Sequence, residues 1–323
     1  MKVIVGGDVF LGGEAEDFAI KHPDKIWSEF TMEELRKSDL RIVNLESPLT
    51  QQKKKIEKTG PNLKASPKTI KTLKHANIDL VTLANNHILD YGEKGVEDTL
   101  EVCKKNGIDY VGADRNLELA SKTYYKEISN KRLAIINFAE NEWASAGNTS
   151  AGANPMNIID NVRQIKEAQS NADYVLVIVH GGHEHYHYPS PRMVKQYRFY
   201  AENGASAIIG HHPHCVSGYE NYKGVPIFYS IGNLFFKDHT SFAGWYEGFL
   251  VRLTFGSSIS YEIIPYNQCS ENGYSVEVLE ENVRESFIKS KLLPINTVIS
   301  DEKLLAENGA ISSKTRHQIE NYF

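Results

Sequence analysis

An α/β fold is predicted by two features of the chain. Short apolar, β-branched runs recur from the N-terminus onward, with longer helix-like stretches between most of them. Strands alternating with helices read as βαβ units and a largely parallel sheet. In addition, five of these runs end in Asp, Glu, Asn or His, and open α/β sheets bind ligands beyond the carboxyl ends of their strands. Composition agrees with a globular chain: 323 residues, 41% hydrophobic and 24% charged. That length allows one large domain or two smaller ones, with a core that needs no staples.

The elements follow in order. Residues 2–5 form the first run. Residues 40–44 form the second, after a helix-like stretch at 31–38. Residues 78–83 follow a Lys-rich amphipathic segment, 67–77. Residues 109–111 follow a helix over 93–106 that Gly107 closes, the residue type that tolerates a left-handed helix end. The runs 132–138 and 174–179 flank a helix near 158–171. Between the last two runs, 207–209 and 226–229, no helix is expected. Residues 249–255 and 258–266, split by Gly256-Ser257, read as a hairpin. The division expected is a domain over 1–270 and a charged helical extension over 271–323, broken at Pro294. Residues 51–58 are basic and read as a solvated loop, and 141–155 as a long flexible loop.

Several classes of partner and location are disfavoured. The net charge is −5 and the pI near 6.2, whereas proteins that neutralise many phosphates are usually basic, so nucleic acid is not expected. No stretch approaches the roughly 18 apolar residues that span a bilayer. The first eight residues read as a strand rather than a signal peptide. Cys103, Cys215 and Cys269 are odd in number and widely spaced, which suggests neither disulfides nor a zinc–cysteine site. A cytoplasmic location, or one peripheral to a membrane, is expected.

The strand ends carry the functional signal. The first run leads to Asp8, the second to Asn44 and Glu46, and the third to Asn85, Asn86 and His87. The run 175–179 leads to His180, His183 and Glu184, and 207–209 to His211, His212 and His214. Carboxylate, amide oxygen and imidazole without thiolate suit Zn, Mn, Fe, Co or Ni. Asp8, Glu46, Asn86, His180, His212 and His214 suffice for one full metal site and one partial site. Each residue alone has an ordinary reading: Asp8 as a cap, Asn85 and Asn86 as turn residues, Glu46 as a loop carboxylate, and His183, His185 and His187 as a His-rich surface loop. Five such coincidences at successive strand ends favour the metal site. No dinucleotide fingerprint, P-loop or nucleophile elbow is present.

Six stretches, in this order and spacing, resemble the bacterial capsule synthesis protein CapA family, which is linked to poly-γ-glutamate capsules and other surface polymers. They are Gly6-Gly7-Asp8-Val9-Phe10-Leu11-Gly12, Asn44-Leu45-Glu46-Ser47-Pro48-Leu49-Thr50, Ala84 through Gly92, His180-Gly181-Gly182-His183-Glu184, Ile209-Gly210-His211-His212-Pro213-His214, and Tyr229 through Phe236. That family is similar in turn to the calcineurin-like metallophosphoesterases. The resemblance covers about residues 1–265. It implies a central β-sandwich flanked by helices (α/β/β/α), with one or two divalent ions, Mn, Zn or Fe, at the strand ends.

The resemblance also implies roles. Asp8, Glu46 (bridging), Asn86, His180, His212 and His214 match metal ligands. His87 matches the histidine that assists the leaving group, with Asp90 orienting it. Asn44, Asn85, His183, Glu184, His211 and Asn233 are expected around the substrate. Three departures stand out. Phe10 takes the place of the histidine in the first motif, Glu46 is longer than the usual Asp, and Gly181 stands where the family commonly has Trp. The expected function is metal-dependent hydrolysis of a phosphoester or amide in capsule or surface-polymer synthesis. The substrate would be an anionic polymer or a phosphorylated small molecule, and the partners capsule synthesis proteins. The alternative is a non-catalytic accessory factor that binds metal or polymer.

Overall fold

The computed structural model describes residues 1–237, 242–269 and 273–308. Along the chain run β1 (Lys2–Phe10), β2 (Leu40–Leu45), β3 (Leu80–Thr82), β4 (Asp109–Val111), β5 (Ala113–Asp114), β6 (Tyr124–Ile128), β7 (Lys131–Ala139) and β8 (Gly152–Ala153). Then come β9 (Tyr174–His180), β10 (Ala207–His211), β11 (Tyr219–Tyr222), β12 (Val225–Phe228), β13 (Asn233–Phe236), β14 (Glu247–Phe255), β15 (Ile259–Gln268) and β16 (Val276–Val278). One sheet has the order β16-β15-β14-β1-β2-β3-β4, with β13 also paired to β1. A second has the order β11-β12-β10-β9-β7-β6, and β5 pairs with β8 in a small ribbon.

Both main sheets are parallel at their centres, as the βαβ rhythm predicts. They pack face to face rather than forming one sheet. The period-two alternation of β1 explains why. Val3 and Val5 point inward with Leu40 and Ile42, against Leu133, Ile135, Leu176 and Ile178 of the second sheet. Ile4, Val43 and Val81 point outward, under the helices Ile70–His75 and Gly92–Asn106. The outer face of the second sheet, including Ile136, Val177 and Ile208, is covered by Ile158–Asn171 and Pro191–Glu202. A strand buried on both faces reads as a continuous apolar run, so β1 is apolar nearly throughout. The result is the α/β/β/α sandwich.

Local chemistry sets the helix ends. Gly107 (φ +71°) closes Gly92–Asn106. Asn157 accepts from the amides of Ile159 and Asp160, and Ser190 accepts from that of Met193 ahead of Pro191. The segment after 270 does not begin as a helix. Its first element, β16, extends the first sheet beside β15. Its helices, Glu281–Phe287 and Leu293–Ser300, and the wide helical turn Ile288–Leu292 between them put Phe287 and Leu292 into the inter-sheet core and Ile295 and Ile299 into the outer one. Residues 270–272 and 309–323 of the expected extension lie outside the described residues. The expected loop at 141–155 contains β8.

Candidate metal centre

The central strands of both sheets end at one edge, and the predicted ligands lie there. Asp8 sits at a register shift in β1, where the strand passes from pairing with β14 to pairing with β13. Gly7 makes this possible: a Cβ there would stand 1.9 Å from the carbonyl oxygen of Gly232. Glu46 follows β2, its amide donating to the Val9 carbonyl (2.9 Å). His180 ends β9 and His211 ends β10. Beyond β10, His212 (φ +95°) and His214 (φ +55°) hold left-handed backbone that non-glycine residues rarely adopt. Pro213 between them completes a bend that turns both rings into the cluster, and strain of this kind concentrates at functional sites.

The six predicted ligands are buried together. Asp8 and Glu46 are fully buried, and Asn86, His180, His212 and His214 are at most 7% exposed. His180 Nε2 lies 3.1 Å from Asn86 Oδ1, 3.2 Å from His212 Nδ1 and 3.5 Å from Glu46 Oε1. His214 Nε2 lies 3.4 Å from Glu46 Oε1, and its Nδ1 is 3.5 Å from Asp8 Oδ2. Two ligand sets emerge, Asp8–Glu46–His180 and Glu46–His212–His214, and Glu46 belongs to both.

Neither oxygen of Glu46 receives a hydrogen bond. A buried carboxylate in that state is costly unless a cation meets it. Burial, then the charge of Asp8, pushes its carboxyl well above the usual range. Burial likewise holds His180 well below the ordinary imidazole value and His214 at about 4. Both rings are therefore neutral near pH 7, the form that binds a metal. Burial would also raise Asp8, but His211, whose Nδ1 lies 3.1 Å from Oδ1, and the surrounding imidazoles outweigh it and hold its carboxyl far below the usual range. Donor types, neutral imidazoles and the unsatisfied Glu46 oxygens all fit a divalent ion.

Four residues expected around the substrate are buried behind the ligands. Asn44 donates to Asp8 Oδ1 (2.7 Å) and lies 3.2 Å from His180 Nδ1. Asn85 donates to the Leu45 carbonyl (2.9 Å) and accepts from the His87 amide (3.1 Å). His211 Nδ1 lies 3.1 Å from Asp8 Oδ1. Asn233 Oδ1 lies 2.8 Å from His214 Nδ1, which leaves Nε2 facing Glu46. Glu184 is exposed and His183 half-buried. His87 Nδ1 meets Asp90 Oδ2 at 2.6 Å.

Sequence reasoning missed Lys58, Glu142 and an aromatic wall. Lys58, assigned to a solvated loop, is buried: its Nζ lies 2.5 Å from Asp90 Oδ1 and 3.1 Å from His87 Nδ1. Glu142 reaches to 3.6 Å from His212 Nε2. Trp245 (tilted) and Phe236 (edge-on) pack against His214, with ring centroids 4.9 and 5.3 Å away, and Phe10 joins them, 4.9 Å from Phe236. Only the substitution at Phe10 foreshadowed this aromatic wall. Nothing in the spacing of Lys58 or Glu142 pointed to the centre.

The family described as "Bacterial capsule synthesis protein PGA_cap" matches residues 2–238. The chain belongs to that family. Capsule biosynthesis protein CapA of Bacillus anthracis is 30% identical over 326 aligned residues, covering 97% of this chain and 75% of that protein. PGA biosynthesis protein CapA of Bacillus subtilis is 34% identical over 245 residues, covering 74% of this chain and 63% of that relative, so the PGA_cap chain spans less than two thirds of it. Among solved structures, a phosphatase from Mycoplasma pneumoniae aligns with a TM-score of 0.50 at 14% identity, over 90% of this chain and 98% of that one. A 5'-nucleotidase precursor from Thermus thermophilus also aligns at 0.50, with 12% identity, over 93% and 59%. These place this PGA_cap protein in the calcineurin-like metallophosphoesterase fold. No helix among the described residues is long and apolar enough to cross a membrane.

Proposed function

We propose that this PGA_cap protein is a metal-dependent hydrolase acting in capsule or surface-polymer synthesis, on a phosphoester or an amide of a glutamate-type polymer. The observation that carries this reading is Glu46: a fully buried carboxylate, unsatisfied at both oxygens, ringed by Asp8, His180, His212 and His214. Asp8, Glu46, Asn86, His180, His212 and His214 would hold one or two divalent ions, of which Mn, Zn and Fe suit the donors. Such ions lower the pKa of bound water toward about 7 and polarise a phosphoryl or carbonyl oxygen.

The chain's own residues do the rest. Asn233 and Asn44 fix the rings of His214 and His180 from behind. Asp90 holds His87 through Nδ1, so Nε2 is the nitrogen left to give a proton to the leaving group. Glu184 and His183 stand on the exposed side, where substrate contacts belong. The capsule role is supported by the family and by the CapA relatives.

A second reading, an accessory factor that binds without turnover, is favoured by one observation. Phe10 occupies the place of a ligand and packs with Phe236 and Trp245, so hydrocarbon lines that side of the centre. Turnover of a p-nitrophenyl phosphoester and of a γ-glutamyl amide, with Mn or Zn added, separates the two. The hydrolase reading expects turnover that falls about 10²–10⁴-fold in His87→Ala with metal content unchanged. Metal uptake without turnover of either substrate would favour the accessory factor.

A further inference from the structure

The His87–Asp90 pair is gripped by a loop from elsewhere in the chain. Residues 51–64 carry no regular secondary structure, and the loop's ends are joined. The Thr50 amide donates to the Ala65 carbonyl (2.9 Å), and the Ala65 amide to that of Pro48 (3.0 Å). Compact loops with joined ends are frequently functional. Between its ends the loop closes on Asp90. The Ile56 amide donates to the Asp90 carbonyl (3.0 Å), and the Leu63 amide to Oδ2 (2.6 Å). Lys58 Nζ lies 2.5 Å from Oδ1, the other carboxylate oxygen.

The Lys58 side chain is 2% exposed and that of Asp90 fully buried. Lysine is almost never buried unless paired, and a buried pair must repay the desolvation of both ions. Anchoring the loop does not require this charge, because the amides of Ile56 and Leu63 already tie it to Asp90. What the ammonium adds is at the carboxylate. The terminal torsion of aspartate is broad and roughly two-fold, so a carboxylate with partners on one oxygen alone can swing. Lys58 occupies Oδ1 and leaves Oδ2 to His87 Nδ1, 2.6 Å away. Lys58 Nζ also stands 3.1 Å from that Nδ1. An ammonium only donates, so it completes Asp90 without competing with Asp90 for the proton on the ring.

We infer that Lys58 is a positioning residue for His87: its ammonium locks the Asp90 carboxylate, and that carboxylate fixes the ring with Nε2 free for the leaving group. The part concerning the leaving group rests on the function proposed above; the part concerning the ring does not. Lys58 touches neither the predicted metal ligands nor the exposed side of the centre, so it acts through Asp90 and His87.

The test reads the His87 ring directly, in the full chain with chelator present, by NMR of histidine labelled at its ring nitrogens. The wild type is expected to show a slowly exchanging ring N–H that His87→Ala removes. Lys58→Met, which keeps the aliphatic stem, is expected to lose that signal, as is Lys58→Gln should Lys58→Met not fold. Lys58→Arg is expected to keep it. So is Lys64→Met, which removes a different tie of the same loop, from Lys64 Nζ to the Gln52 carbonyl (2.6 Å). The kinetic counterpart, with Mn or Zn added, compares two phosphoesters. On a phenyl ester, whose leaving group needs a proton, Lys58→Met is expected to lower kcat about 10–100-fold with KM changed less than about twofold. On a dinitrophenyl ester, whose leaving group needs none, kcat is expected to stay within about threefold of wild type. A wild type without the ring signal, a signal unchanged in Lys58→Met, a signal lost equally in Lys64→Met, or equal losses on both esters would each overturn the inference. The expected ring signals without wild-type turnover of either ester would remove the hydrolase reading alone and leave Lys58 as the residue that positions His87.

Discussion

A carboxylate buried without a hydrogen bond costs several kcal/mol, and the fold holds Glu46 in that state between Asp8 and the histidines. Function and stability therefore oppose each other at this position. Metal-free Glu46→Gln is expected to melt above metal-free wild type, because the neutral amide avoids the free-energy cost of burying or protonating a carboxylate there. Added Mn or Zn should then raise the melting temperature of the wild type only. Thermal melts of the four samples check both halves. Gly7 is the complementary case. A methyl group there would overlap the Gly232 carbonyl, so β1 and β13 must part to admit it. Gly7→Ala is expected to cost about 3 kcal/mol in a urea titration, with metal affinity falling as Asp8 moves.

At the scale of elements, the helix Glu29–Arg36 is locked to the sheet by one buried ion cluster. Glu34 accepts from Arg252 (2.6 Å) and Arg284 (2.7 Å), which ties that helix to β14 and to the helix Glu281–Phe287. Burial opposes ionisation of Glu34, but the two guanidinium groups prevail and lower its carboxyl from 4.5 to about 2. A lowered carboxylate stabilises the fold fully above the unfolded value, near 4.5, and this contribution is lost as pH falls toward about 2. Glu34→Gln is expected to cost about 3 kcal/mol at pH 7, because it leaves charged arginine behind, and to flatten the acid limb of a stability–pH curve between about 4.5 and 2.

Elements were legible in the sequence to the extent that burial alone decided them. The runs at 40–44, 132–138 and 174–179 became β2, β7 and β9 within two residues at either end, because strands covered on both faces must be apolar, and 109–111 became the edge strand β4. The hairpin β14–β15 was legible from Gly256-Ser257 between two alternating runs. Strand β13 was not legible, since its partner β1 is distant in sequence, whereas β11 was passed over although it forms a tight hairpin with β12 across Lys223-Gly224. The face-to-face packing of two sheets came only with the family resemblance, because an apolar run does not reveal which sheet it joins. At the site, strand-end ligands were legible through their position. Lys58 was not, because a lysine run reads as solvated until a tertiary contact buries one member.

Considered whole, the molecule builds its centre from two sheets at once. Asp8, Glu46 and Asn86 come from the ends of β1, β2 and β3, while His180, His212 and His214 come from β9 and β10. No single βαβ unit holds the full ligand set, so metal binding is expected to be coupled to packing of the entire sandwich. The segment after 270 contributes to that packing through β16, Phe287, Leu292, Ile295 and Ile299. A chain ending at residue 275 is expected to expose these contacts and lose both cooperative unfolding and metal binding, as read by calorimetry and metal titration. The most direct test of the account is the metal content per chain, by elemental mass spectrometry, for wild type and His214→Ala after reconstitution with Mn or Zn. The account predicts between one and two ions per wild-type chain and a clear loss in the variant. No bound metal in the wild type after reconstitution would contradict it.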